Sequence, residues 1–274
     1  MSILNWTKVG DLPSESILLK LLLYGDSGAG KTWTASTAPR PIYLLTEPNG
    51  LPTIRSANPD AIVVQADEAN GGLDKVREFL QAARSGDLKS ATGCETVVVD
   101  SLNELQRMLR DEILRGKRGR PDQGTFGIQD WGMLTDKMRR LVRSFRDLPF
   151  HVVGITHASV TEHEATGQRY VRPMFQGKSL PNEIAGYFSA VGLMYRERIT
   201  DADGDLVVHH RVMLEGPASV VSKVLPGLDS VEIPDITDWL RRMSEASADQ
   251  RQPRRAVSAD PTAPKRNRRR PQPL

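Results

Sequence analysis

The 274 residues contain one cysteine, Cys94, so an internal disulfide is excluded. Such sparing use of thiols fits a reducing compartment. Cys94 stands just ahead of an apolar run and reads as a packing residue rather than a redox or catalytic thiol. Aromatic residues are also scarce, 5% against a hydrophobic content of 39%, so the core must be aliphatic. No stretch approaches the ~18 apolar residues of a membrane helix. The first residues, Met1 to Trp6, lack the basic-then-apolar order of a secretory leader. The expectation is a cytoplasmic protein with no membrane partner. No internal repeat is present.

The body of the chain also lacks a basic surplus. Residues 251–274 hold eight Lys or Arg and one acid, Asp260, a local charge of +7. Residues 1–250 hold 29 basic and 33 acidic residues, or −4. The net charge of +3 is therefore a property of the tail. From about residue 246 onward, Pro, Arg, Ser and Ala dominate without periodicity, the composition of a disordered segment. The expected organisation is an N-terminal arm over residues 1–16, a core over 17–245 and a disordered basic tail over 246–274.

What the chain does have is a series of short, continuous apolar runs. Residues 17–24, 41–46, 61–65, 95–100 and 150–156 read as buried strands, with helical spacing over 31–38, 74–84, 101–115 and 131–146. Strands alternating with helices imply a three-layer α/β fold with a mostly parallel sheet. Beyond residue 185 the pattern changes. Apolar runs at 190–195 and 206–214 flank a turn-forming Asp-Ala-Asp-Gly, which predicts an antiparallel hairpin extending the sheet. One short helix is expected over 234–243.

The first strand runs into Gly25-Asp26-Ser27-Gly28-Ala29-Gly30-Lys31-Thr32, followed by Trp33. A GxxxxGKT loop between a strand and a helix turns backbone N–H groups inward around phosphate oxygens. Lys31 reaches the β/γ-phosphates and Thr32 offers a hydroxyl to Mg²⁺. The implied ligands are ATP and Mg²⁺. Asp100 ends the strand Val97-Val98-Val99-Asp100, where α/β sheets bind ligands, and is the second candidate for the metal. Hydrolysis also needs a group that orients or deprotonates water. Residue 101 is Ser, so no acid directly follows Asp100; Glu47, at the end of the next strand, is the best alternative. Its strand is expected beside both the P-loop strand and the Asp100 strand. Taken alone, Glu47 reads equally well as a surface carboxylate.

An acid closing the second strand (Leu44-Leu45-Thr46-Glu47), a VVVD-S run and a polar residue, His157, closing the strand at 152–157 together resemble the RecA recombinase core. The helix-then-strand over 177–196 resembles the segment that follows the RecA DNA loop, so the similarity covers roughly residues 17–215. At this compact size the chain is similar to the phage-encoded RecA-like P-loop ATPases of the Sak type, which are associated with single-strand annealing and recombination. The resemblance implies catalytic roles for Glu47 as base, Lys31, and His157 as γ-phosphate sensor. The family usually carries Gln at the sensor position, and the bland reading of His157 is a strand-end histidine with a structural hydrogen bond. The implied partners are single-stranded DNA, further copies of the chain in a ring or filament, and a single-strand-binding protein. RecA filaments complete each site with lysines of the neighbouring subunit; no Lys-x-Lys pair occurs in the matching region, only Arg211 and Lys223.

Two loops on the carboxyl side of the expected sheet are candidates for DNA. Residues 115–126 bring Lys117, Arg118 and Arg120 together with glycines and Phe126. Residues 158–178 bring Arg169, Tyr170, Arg172, Phe175 and Lys178. Cations follow a phosphate backbone while aromatic rings stack on bases without reading sequence. Ordinary solvated loops would have the same composition. Trp131 reads as packing at a helix start. His209 and His210 are adjacent on a strand and face opposite ways, and His163 lacks metal-ligand spacing, so neither forms a site in this reading and no zinc is expected. Two other functions remain open: an ATPase acting on a protein partner, for instance in phage assembly or regulation, and a phosphotransferase.

Overall fold

The computed structural model describes residues 7, 18–119, 124–162, 167–177, 179–201 and 204–249. The strands are β1 (Lys20–Gly25), β2 (Pro41–Leu45), β3 (Ile62–Gln65), β4 (Thr96–Asp100), β5 (His151–Glu162), β6 (Arg169–Pro173), β7 (Ala190–Thr200), β8 (Leu206–Met213) and β9 (Val231–Glu232). The helices are α1 (Lys31–Ser36), α2 (Leu51–Ala57), α3 (Gly72–Ser85), α4 (Asp87–Thr92), α5 (Leu102–Arg115), α6 (Ile128–Arg146), α7 (Leu180–Gly186) and α8 (Ile236–Asp249). The strands form one sheet in the order β3-β2-β4-β5-β1-β7-β8-β9, with β6 paired to β5. From β3 through β7 the row is parallel throughout, whereas β7 pairs antiparallel with β8, β8 with β9, and β5 with β6.

The central strands carry near-continuous apolar runs because both of their faces are covered. In β1, Leu22 and Tyr24 enter one core with residues of α3, α5, α6 and α7, while Leu21 and Leu23 enter a second with residues of α1 and α8. β4 divides in the same way, Val97 and Val99 to the first and Val98 to the second. At roughly 1.5–3 kcal/mol per fully buried large aliphatic side chain, these strands supply much of the drive to fold. Cys94 lies in the first core, 1% exposed. The fold is the three-layer, RecA-like α/β class expected, and the β7–β8 hairpin extends the sheet antiparallel.

Four details differ from the sequence reading. β2 does not border β1; β5 and β4 stand between them. α2 and α4 are additional helices. α6 begins at Ile128 rather than at Trp131. α8 continues through residue 249, past the boundary at 245 drawn from composition. Its indole Trp239 is 1% exposed in the second core, with Nε1 donating to the Ile233 carbonyl, and this packing sustains the helix. The arm over residues 1–16, apart from residue 7, and the tail over 251–274 lie outside the described residues.

Candidate active site

Parallel strands of this sheet end on one edge, and the loops leaving them surround a cleft of about 540 Å³. Ser27, Gly28, Gly30, Lys31, Thr32 and Trp33 line it from the P-loop side, and Glu47, Asp100, Ser101 and His157 from β2, β4 and β5. Gly25 ends β1 between His157 of β5 and Met194 of β7 in register. A Cβ there would sit 2.4 Å from the Met194 carbonyl oxygen, so only glycine allows β7 to pair at this point. Gly30, with φ +96°, turns the chain into α1.

Lys31 is buried, and its Nζ donates to the carbonyls of Gly25 (2.9 Å) and Asp26 (2.8 Å). Burial lowers its pKa, while Asp100, Asp26 and Glu47 act in the opposite direction. The Thr32 hydroxyl donates to Asp100 Oδ2 at 2.8 Å. Burial raises the Asp100 pKa above the usual carboxylate value; the Thr32 hydrogen bond, Lys31 and His157 lower it, and Glu47 raises it. Hydroxyl and carboxylate oxygens in contact within the cleft make a hard donor set that fits Mg²⁺.

Glu47 is placed by stitching between two strand ends. Thr46 N–H donates to the Asp100 carbonyl (2.9 Å), and the Ser101 N–H donates to Thr46 Oγ1 (2.8 Å). Thr46 Oγ1 in turn donates to the Ser101 carbonyl (3.1 Å). The Ser101 hydroxyl then donates a short hydrogen bond to Glu47 Oε1. The same hydroxyl caps α5 by accepting from the Glu104 N–H. Thus the serine that replaces an acid after Asp100 holds the acid supplied by β2.

His157 is clamped from α5. Asn103 Oδ1 accepts from the His157 N–H (2.7 Å) and from the Thr156 hydroxyl (2.8 Å). Asn103 Nδ2 donates to the Met174 carbonyl (2.6 Å), and the Met174 N–H donates to the His157 carbonyl (2.8 Å). One amide therefore joins the end of the cleft to the chain returning from β6.

A family model described as an AAA domain matches residues 18–223. The chain belongs to that family. It is a family of AAA-type P-loop ATPases. No curated protein matches this AAA domain chain. Among solved structures it is similar to a KaiC-like protein from the hyperthermophilic archaeon Pyrococcus horikoshii OT3. The identity is 12% and the TM-score 0.33, covering 70% of this chain and 77% of that one. It is also similar to the flagellar accessory protein FlaH from Methanocaldococcus jannaschii, at 9% identity and TM-score 0.33, covering 72% and 79%.

The structure brings Lys31, Thr32, Glu47, Asp100 and His157 together in one cleft. The segment expected as a second DNA loop is instead a β-hairpin over much of its length, with Glu162 opposite Arg169 and Ser159 opposite Arg172. Arg169 is exposed and within 3.5 Å of Glu162. Phe175 is in the first core, where it cannot stack on a base. Lys117 is also withdrawn from solvent: its ammonium is held by Asp130 in a short ion pair and by the Thr125 carbonyl at 2.9 Å. Arg118 is exposed. Arg120, Lys178 and His163 lie outside the described residues. Trp131 packs edge-on against Phe126, centroids 4.9 Å apart, yet remains 40% exposed. Of the two cations near the last strands, Lys223 Nζ donates to the Phe188 carbonyl and Arg211 lies 3.4 Å from Glu197.

Three site residues had no signal of this kind in the sequence: Asn103, Ser101 as the holder of Glu47, and His210. The sequence reading assigned no site to His209 and His210, yet one of the two reaches the cleft. His210 lines the cleft, with Nδ1 2.8 Å from the Ala29 carbonyl oxygen.

Proposed function

We propose that this AAA domain chain hydrolyses ATP and couples turnover to single-stranded DNA. In the ATPase step, backbone N–H groups of residues 27–32 and the Lys31 ammonium receive the phosphates. Mg²⁺, held by Thr32 and Asp100, would supply charge neutralisation of the phosphate oxygens. Glu47 accepts a proton from the water that attacks the γ-phosphorus; the bond to the β–γ bridging oxygen breaks and ADP leaves. His157, on the adjoining strand end, reads the terminal phosphate.

The observation that carries the DNA half of this reading is the continuity of β5, which runs unbroken from the cleft at His157 into the hairpin bearing Arg169 and Arg172. A change at the terminal phosphate is thereby linked mechanically to a cationic hairpin. Trp131 and Arg172 line a common groove beside it, an exposed indole and a guanidinium suited to stacking a base and holding a phosphate. On the strength of the sequence resemblance, the proposal extends to recombination or strand annealing of the phage Sak type, with copies of the chain assembled in a ring or filament on DNA.

The test is ATP turnover by the full chain with and without single-stranded DNA, expected to rise with DNA. Lys31→Ala should abolish nucleotide binding; ATP binding of normal affinity in that variant would remove the site assignment. A second reading, an ATPase acting on a protein partner, is favoured by Leu206 and Val208 on the β7–β8 hairpin, 75% and 51% exposed. Turnover indifferent to DNA would move the proposal there.

A further inference from the structure

The P-loop strand divides the cleft. β5, β4 and β2 stand on one side of β1 and carry His157, Asp100 and Glu47 at their ends; β7 and β8 stand on the other. A nucleoside triphosphate whose terminal phosphate lies toward Glu47 extends its nucleoside toward β7 and β8. The cleft-lining side chain from that side is His210, on β8 opposite Arg196.

His210 is closely fitted to the P-loop. Its Nδ1 lies 2.8 Å from the Ala29 carbonyl oxygen, and a Cβ on Gly30 would come within 2.9 Å of the same nitrogen. A carbonyl oxygen only accepts, so Nδ1 carries the proton; in the neutral ring Nε2 is then left as an acceptor. Phosphate oxygens offer an acceptor nitrogen nothing, whereas a nucleoside offers donors, namely the ribose hydroxyls and the exocyclic amine of adenine. We propose that His210 recognises the nucleoside: Nδ1–H anchors the ring to the P-loop backbone and Nε2 accepts from a ribose hydroxyl or the adenine amine. This rests on the reading of the cleft as a nucleotide site.

The experiment measures equilibrium binding of ATP and ADP to the full chain carrying His210→Ala or His210→Asn. Far-UV circular dichroism checks folding, and steady-state kinetics accompany the binding measurements. Asparagine keeps an N–H donor for the Ala29 carbonyl but lacks the Nε2 acceptor. Both variants should lose affinity for ATP and for ADP by the same factor, about tenfold for one hydrogen bond. The loss should fall on KM rather than kcat. Binding of inosine triphosphate, which lacks the amine, and of a 2′,3′-dideoxy ATP identifies the donor: the analogue missing it loses affinity in the native chain and loses no more in the variants.

Full affinity in His210→Asn would reduce His210 to a loop anchor and overturn the proposal. So would a loss confined to ATP, which would put the side chain at the terminal phosphate. If His210→Ala does not fold, His210→Asn decides alone. ATP binding that survives Lys31→Ala fails the nucleotide reading itself, an outcome distinct from any result at His210.

Discussion

Glu47 is a residue whose chemistry depends on a neighbour 54 positions away in the chain. Ser101 donates to its carboxylate and is itself held by Thr46, so the acid is aimed from the end of β4 although β2 carries it. Replacing Glu47 with Gln preserves shape and removes the proposed proton acceptor. Turnover should fall at least ~10²-fold, the usual scale for a lost general base, with ATP still bound. Isothermal titration and single-turnover hydrolysis separate the two effects, and unchanged turnover would place water activation elsewhere. Ser101→Ala leaves the acid present and removes its tether. There we expect a fall in kcat on the order of tenfold to a hundredfold from misplacement. A stability loss of about 1 kcal/mol should accompany it, because α5 loses its cap.

At the scale of elements, β5 is the part that the nucleotide cleft and the proposed DNA region share. Its cleft end holds His157 and its far end forms the hairpin with β6, while Asn103 of α5 ties the strand to the returning chain at Met174. His157→Ala should retain ATP binding and lose much of the DNA stimulation of turnover, since the hairpin then no longer responds to the phosphates. Asn103→Ala attacks the same link from the other side. It leaves the His157 N–H and the Thr156 hydroxyl without this acceptor, which should cost about 1–3 kcal/mol in denaturant unfolding. It should also reduce DNA stimulation more than basal hydrolysis. Full stimulation in both variants would mean that β5 does not carry the signal.

At the scale of the whole molecule, stability should depend on alkaline pH with a maximum. Lys20 Nζ donates to the carbonyls of Leu148 (2.7 Å) and Phe150 (2.6 Å). Burial lowers its pKa from 10.5 to about 8. Between those values the unfolded chain binds more protons than the folded one, so stability rises with pH across that window. Tyr24 and Tyr43 work in the opposite direction. Burial pushes both phenols well above 10.0, so above that pH the unfolded chain ionises and the folded chain does not, and stability falls. Urea denaturation from pH 7 to 11 should show the rise and the turn, and Lys20→Met should diminish the rise, leaving the part contributed by buried Lys31. The tail offers a separate test. If about half of its eight cations meet phosphates, truncation after residue 250 should flatten the salt dependence of DNA binding by roughly 3 units of slope, at ~0.7 per contact. An unchanged slope would move the DNA contacts wholly to the body of the chain.

By itself the sequence determined what depends on neighbours along the chain. The glycine loop, the apolar strands on either side of each crossover, Asp100 at a strand end and the β7–β8 hairpin are all written within a few consecutive residues. Local spacing sets which backbone can form and which faces are apolar. Tertiary structure alone decided which strand ends meet and which charges remain free. β2 lies beside β4, as expected, but β4 and β5 part it from β1, and only the fold shows that Ser101 at the end of β4 holds Glu47. His210 reached Ala29 across 181 positions, although its periodicity marked it only as one of two histidines on a strand. Lys117, a loop cation by composition, was drawn into a buried pair with Asp130. Strand order and side-chain partners are long-range properties: they follow from how two whole faces pack, and the residues involved carry the same local signal whether or not the partner arrives.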